Sequence, residues 1–97
     1  MIPEGEHFLD YLRDERGLST RTLAAYRRDL EQFSEELLQR DIITPGQATE
    51  HDIRRFIARR HRQGLGARSI QRLLSAIRSF YRWLMKEDPV LWAVISS

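Results

Sequence analysis

Apolar residues recur at intervals of three and four along most of the chain, the period of a helix buried on one side. Phe8, Leu9, Tyr11 and Leu12 form the first such side, predicting a helix from about Glu6 to Arg16 that stops at Gly17. Leu23, Tyr26, Leu30, Phe33 and Leu37 predict a second helix from about Thr20 to Gln39, with Ser19 as its N-cap. The segment "RDIITPGQA" breaks the period, and Pro45-Gly46 marks a turn. A third helix begins at Glu50, where Thr49 and Asp52 resemble a capping box with Asp in place of the usual Glu or Gln. It buries Ile53, Phe56 and Ile57 and ends at "QGLG", residues 63–66. The fourth runs from about Ala67 to Lys86 with Ile70, Leu73, Leu74, Ile77, Phe80, Tyr81 and Leu84 inward, and "EDP" stops it. Almost nothing reads as strand. The expected fold is all-α, a compact four-helix bundle.

The chain's 97 residues suffice for one domain with a modest core. At 41% hydrophobic and 31% charged the composition is that of a soluble globular protein. Cysteine is absent, which excludes disulfides and thiolate chemistry. No apolar run approaches a membrane span and no signal-peptide pattern opens the chain, so a cytoplasmic protein is expected. His7, His51 and His61 lie too far apart for a metal site. Gly64 and Gly66 are a helix terminator and not a phosphate loop, and no serine sits in a nucleophile elbow. The carboxylates between residues 29 and 36 read as a solvated helix face. No cofactor is expected, nor a small-molecule substrate. By itself the chain does not read as an enzyme.

Charge changes the picture. Residues 1–52 hold twelve acids and six bases, whereas residues 53–86 hold ten bases and no acid. Such asymmetry points to a polyanionic partner. Phased at about 100° per residue, the fourth helix places Arg68, Arg72, Ser75, Ser79, Arg82 and Lys86 in a stripe opposite its apolar face, with Gln71 and Arg78 flanking. Arginine forks suit phosphate or guanine, hydroxyls suit phosphate oxygens, and the amide suits adenine. The competing reading is a solvated basic face that binds nothing. The second helix argues against it, because its charges oppose the helix dipole: Arg21, Arg27 and Arg28 come early and Glu31, Glu35 and Glu36 late. That order makes sense if the first turn, with Ser19, Thr20, Arg21 and Thr22, faces phosphate. The fourth helix likewise opens on Arg68, Ser69 and Arg72 with no acid. A membrane-surface helix fits poorly, since the apolar face is needed for the core and no exposed aromatics border the stripe.

"LSTRTLAAYRRDLEQF" (18–33), followed about forty residues later by "RSIQRLLSAIRSFYRWL" (68–84), resembles the N-terminal core-binding domain of tyrosine recombinases. The closest likeness is to Xer-type chromosome-dimer resolvases and related phage integrases. The combination of Leu18-Ser19, Thr22, Tyr26, Asp29-Leu30 and Phe33 with Leu74-Ser75-Ala76-Ile77-Arg78, Phe80-Tyr81 and Leu84 carries it, and it covers about residues 6–89. The resemblance implies a SAM-like orthogonal bundle whose second and fourth helices face the major groove of double-stranded DNA. With a separate catalytic domain it would close a clamp on each recombination half-site, beside other recombinase subunits. The matching positions imply DNA contacts by Ser19, Thr20, Thr22, Tyr26, Arg68, Arg72, Ser75 and Arg78. Arg21, Ser69, Gln71 and Arg82 join that set through their phase and charge. For Tyr26 a core ring with a surface hydroxyl stands as the equal alternative.

The family's catalytic residues belong to a C-terminal domain that has no counterpart in these 97 residues. Tyr11, Tyr26 and Tyr81 are therefore not its nucleophile. The expected division is a DNA-binding domain over 1–89 and a tail or linker start over 90–97, where "VLWAVISS" replaces the family's polar exit. An excised fragment and a truncated product with an unrelated tail are both compatible with that ending. The isolated domain is expected to be a monomer, acting at the nucleoid. The alternative function is a SAM-like protein–protein interaction module.

Overall fold

The structure is a computed structural model and describes residues 1–87. Four helices run in the order α1 (Pro3–Asp14), α2 (Thr20–Gln39), α3 (Glu50–Arg62) and α4 (Ala67–Glu87), with a short 3-10 turn at Pro45–Gln47. No strand occurs among the described residues. The all-α bundle expected from the periodicity is what forms. The expected tail, residues 90–97, lies outside the described residues, as does Pro89.

The helix ends follow from local chemistry. Pro3 occupies the first turn of α1, where its fixed φ suits a helix and its missing N–H costs nothing. The helix thus starts three residues before the position expected at Glu6 and ends at Asp14 instead of Arg16. The earlier start buries Ile2, whose N–H reaches the hydroxyl of buried Ser34 at 3.4 Å. Thr49 caps α3 through a full capping box: its Oγ1 accepts from the Asp52 N–H at 3.2 Å, and Asp52 accepts from the Thr49 N–H at 2.8 Å. These bonds hold the Asp52 carboxyl below the usual aspartate range. At the other end, Gly64 takes φ +95° so that the N–H groups of Gly64 and Leu65 return to the carbonyls of His61 and Arg60. α2 closes the same way, but with Asp41 at φ +60° in the place where glycine is favoured.

Two apolar clusters make the core. Ile2, Phe8, Leu9, Leu12, Leu30, Phe80 and Leu84 join α1, α2 and α4. Phe33, Leu37, Phe56, Leu73 and Ile77 join α2, α3 and α4. Tyr81 packs against both, and its hydroxyl donates to the Pro45 carbonyl at 2.7 Å. Burial pushes that phenol well above its ordinary pKa, so it remains a donor throughout the physiological range.

The carboxylates of α2 depart from expectation. Glu31 and Glu35 are exposed, but Asp29 and Glu36 are buried. They stand seven residues apart on the side of α2 that carries Leu30, Phe33 and Leu37, and arginines from elsewhere lean over to neutralise them. Glu36 bonds Arg40 and Arg59, each at 2.7 Å, and Arg40 continues to Asp52 at 3.2 Å, tying α2 to α3.

Glu36→Ala should leave Arg59 facing a buried void and destabilise the domain by about 3 kcal/mol, read as a lower urea midpoint. Asp41→Gly relieves a left-handed residue with no ion-pair partner among the described residues and should raise stability by about 0.5–1 kcal/mol. Because the Asp52 carboxyl is depressed on folding, its stabilisation is present above the unfolded aspartate pKa of about 3.9 and is lost as pH falls through the folded value. Asp52→Asn should therefore flatten the acid limb of a plot of melting temperature against pH.

Candidate nucleic-acid interface

The N-terminal half of α2 and the exposed side of α4 adjoin across a seam. Ser19 anchors one end: its Oγ accepts from the Thr22 N–H at 3.2 Å and donates to the Thr22 hydroxyl at 3.0 Å. Ser19 and Thr22 are thus partly occupied in holding the first turn, while Thr20 and Arg21 are exposed beside it. That turn contains no acid, so its unpaired N–H groups and partial positive charge face solvent uncompensated. Of the three arginines that oppose the α2 dipole, Arg27 has another reason to be there. It forms a two-bond pair with Glu6 of α1, at 2.6 and 3.1 Å. Arg21 and Arg28 have no ion-pair partner among the described residues.

On α4, Arg68, Gln71, Ser75, Arg78 and Arg82 are exposed, and Ser69 is half-buried. Arg72 behaves differently. Its Nε and Nη2 donate to the two carboxylate oxygens of Asp29 at 2.8 and 2.9 Å, and its side chain is 36% exposed. Its charge is therefore matched within the fold, and the pair bolts α4 to α2. Further along the seam a cavity of about 270 Å³ opens between the end of α1, α2 and the second half of α4. Tyr26, Ser79, Arg82, Lys86 and Arg16 converge on it above a floor of Phe8, Leu12 and Trp83. Tyr26 is half-buried: it packs on the α1 cluster and also lines this cavity.

Arg78 does not join that group. It lines a separate depression against α3, with Glu50, Ile53, Arg54, Leu74, Ile77 and Tyr81. Arg16 was not a candidate in the sequence, since only the packing of α1 on α4 through Phe8 and Leu12 brings it to the cavity beside Tyr26. Within the acid-free stretch 53–86, Arg54 and Arg59 pair with Glu50 and Glu36, and Arg72 with Asp29. Arg55, Arg60, Arg62, Arg68, Arg78, Arg82 and Lys86 have no carboxylate partner among the described residues. No cluster able to hold a metal ion occurs among those residues, and no helix there is long and apolar enough to cross a membrane.

The model of the phage integrase N-terminal SAM-like domain matches residues 6–88, nearly the whole chain and all four helices. The chain belongs to this family. The SAM-like domain is similar to tyrosine recombinase XerC of Xanthomonas axonopodis pv. citri (strain 306), 45% identical over 96 residues covering 88% of the chain and 31% of that protein. XerC of Pseudomonas putida (strain W619) is 45% identical over 82 residues, 84% of the chain and 27% of the relative. XerC of Xylella fastidiosa (strain 9a5c) is 41% identical over 85 residues, 88% and 29% respectively. The SAM-like domain thus spans under a third of the length of these relatives. No solved structure matches it at a significant level.

Because Arg72 is engaged with Asp29 and Arg68 is free, their alanine variants should separate in thermal unfolding. Arg72→Ala strands a buried carboxylate and should cost about 3 kcal/mol. Arg68→Ala should shift the melting temperature by no more than a degree or two.

Proposed function

We propose that this domain is the N-terminal DNA-gripping arm of a Xer-type site-specific recombinase, and that it holds duplex DNA along the seam of α2 and α4. The observation that carries the reading is the outer face of α4, free of acids from Ala67 to Lys86, where Arg68, Arg82 and Lys86 are exposed with no carboxylate partner among the described residues. A polyanion explains that face, because it supplies the countercharge that the described residues do not place beside these cations. The first turn of α2, with Thr20, Arg21 and free N–H groups, supplies a second phosphate-binding element on the same side as Tyr26. α4 is about 30 Å long, a reach suited to lying in or across a major groove. Ser75 and Gln71 then stand where a base edge or a neighbouring phosphate can be met.

On this reading residues 1–89 form the binding unit, and residues 90–97 begin the connection to a catalytic domain. Strand cleavage and transesterification through a phosphotyrosine belong to that domain, in a complex with other recombinase subunits on DNA at the nucleoid. The isolated domain is a monomer and binds weakly, being one arm of a clamp. A second reading has one observation in its favour. Ile53, Ile57, Ile70 and Leu74 line a mostly apolar depression of about 450 Å³ between α3 and α4, suited to a protein contact.

Salt dependence separates the two. Phosphate neutralisation gives a slope of log K against log[salt] of about −0.9 per contacted phosphate. Arg68→Ala and Arg82→Ala should each weaken duplex binding and reduce the steepness by roughly one such unit, while Glu35→Ala should do neither. Absence of duplex binding at low salt, or equal binding by both arginine variants and the wild type, sinks the DNA reading and leaves the protein-contact one.

A further inference from the structure

Arg72 poses a question that its place in the basic stripe conceals. A guanidinium whose charge is already matched contributes little to holding phosphate, yet it remains on the outer side of the seam, flanked one turn away by Arg68 and Ser75. Its bonding decides what remains available. A guanidinium carries five N–H donors in one plane. Asp29 takes the Nε–H and one N–H of Nη2, side by side, at 2.8 and 2.9 Å. The unused edge consists of the outer N–H of Nη2 and the parallel N–H of Nη1, with a further Nη1 hydrogen beside them. None of these has a partner among the described residues. The Asp29 side chain is 8% exposed, whereas the Arg72 side chain that holds this unused edge is 36% exposed.

We infer that Arg72 is a base-reading residue and Asp29 its positioning residue: the pair presents a rigid two-donor edge matched to the O6 and N7 acceptors of a guanine in the major groove. This rests on the DNA-gripping function proposed above and divides its labour. The charge balance favours a base over a phosphate, and the fixed geometry of the free edge selects guanine among the bases. The carboxylate cancels the charge that would draw the side chain to the backbone, leaving directed hydrogen bonds as its main attraction. It also locks the guanidinium plane, so the rotamer entropy is lost on folding and not on binding. Finally, the two remaining donors are parallel, and two parallel acceptors on one base edge are the arrangement that guanine alone offers in that groove. Thymine and adenine each lack one of the two acceptors.

The test is selection of bound duplexes from a randomised library by the whole chain, followed by sequencing, with salt titrations on the enriched sequence. The wild type should enrich guanine at one position by about ten- to hundredfold. Arg72→Lys keeps a cation beside Asp29 but loses the planar edge; it should erase that preference while leaving the salt slope within experimental error. Asp29→Asn keeps the shape but frees the guanidinium charge; it should blunt the guanine preference and steepen the salt slope by about one phosphate contact. Circular dichroism melts identify any variant that has lost the fold, and for such a variant the reading passes to Asp29→Leu/Arg72→Met, which replaces the pair by apolar groups. A folded double variant that keeps the guanine preference overturns the inference, as does Arg72→Lys retaining it. Wild-type binding with no guanine preference at any position overturns it while leaving the DNA-gripping function intact. No binding of any duplex removes both.

Discussion

One face of α4 has to serve two cores. Phe80 and Leu84 fill the cluster under α1, Leu73 and Ile77 fill the cluster against α3, and Tyr81 packs on both. Phe80 stacks edge-on against Phe8 at 5.6 Å and against Tyr81 at 5.3 Å, so the two clusters meet through aromatic contact on this helix. Each of α1, α2 and α3 touches α4, and the orientation of α4 is therefore determined by the sum of these packings. A helix held on one side this thoroughly has no rotational freedom left. Its opposite side, with Arg68, Ser75 and Arg82, is presented to solvent at a fixed angle as a consequence.

Burial of charge follows from the same economy of a small domain. A core of this size cannot enclose every side that faces another helix with hydrocarbon, and at Asp29 and Glu36 it uses carboxylates closed off by arginines. Such pairs add little net stability compared with well-packed apolar groups, but each is strongly costly to break by half. They act as register pins. Glu36, Arg40, Arg59 and Asp52 index the end of α2 to α3, and Asp29 with Arg72 indexes its middle to α4. The Asp29–Arg72 pair thereby fixes the register of α2 against α4 at the middle of their seam.

The four helices were legible because their apolar residues keep a single period, and the caps at Ser19, Thr49 and Gly64 were legible because capping depends on neighbours in the chain. The early start of α1 is local too, with Pro3 as its signal, but Ile2 becomes core only because the cluster of α1, α2 and α4 closes over it. What the sequence could not show is pairing across helices. Asp29 and Arg72 are 43 residues apart, and Glu36 and Arg59 lie on different helices, so phase alone put the acids on the surface and Arg72 among the free cations. The convergence of Arg16 with Tyr26, Ser79 and Arg82 is of the same kind. The basic face was legible as a composition; its division into paired and unpaired arginines was tertiary.

That division bears on how the whole surface would work. Arginines with no carboxylate nearby respond to any phosphate within about a Debye length, and so to all duplex sequences alike. An arginine whose charge is balanced by a buried aspartate is nearly silent at that range and acts only at hydrogen-bond distance, where geometry discriminates. On the DNA-gripping function proposed above, placing both kinds one helical turn apart, at Arg68 and Arg72, would let a single helix attract DNA through one side chain and test it through the next. On the same proposal α4 needs no acid of its own before Glu87, because the carboxylate that neutralises Arg72 comes from α2, where it is buried and paired.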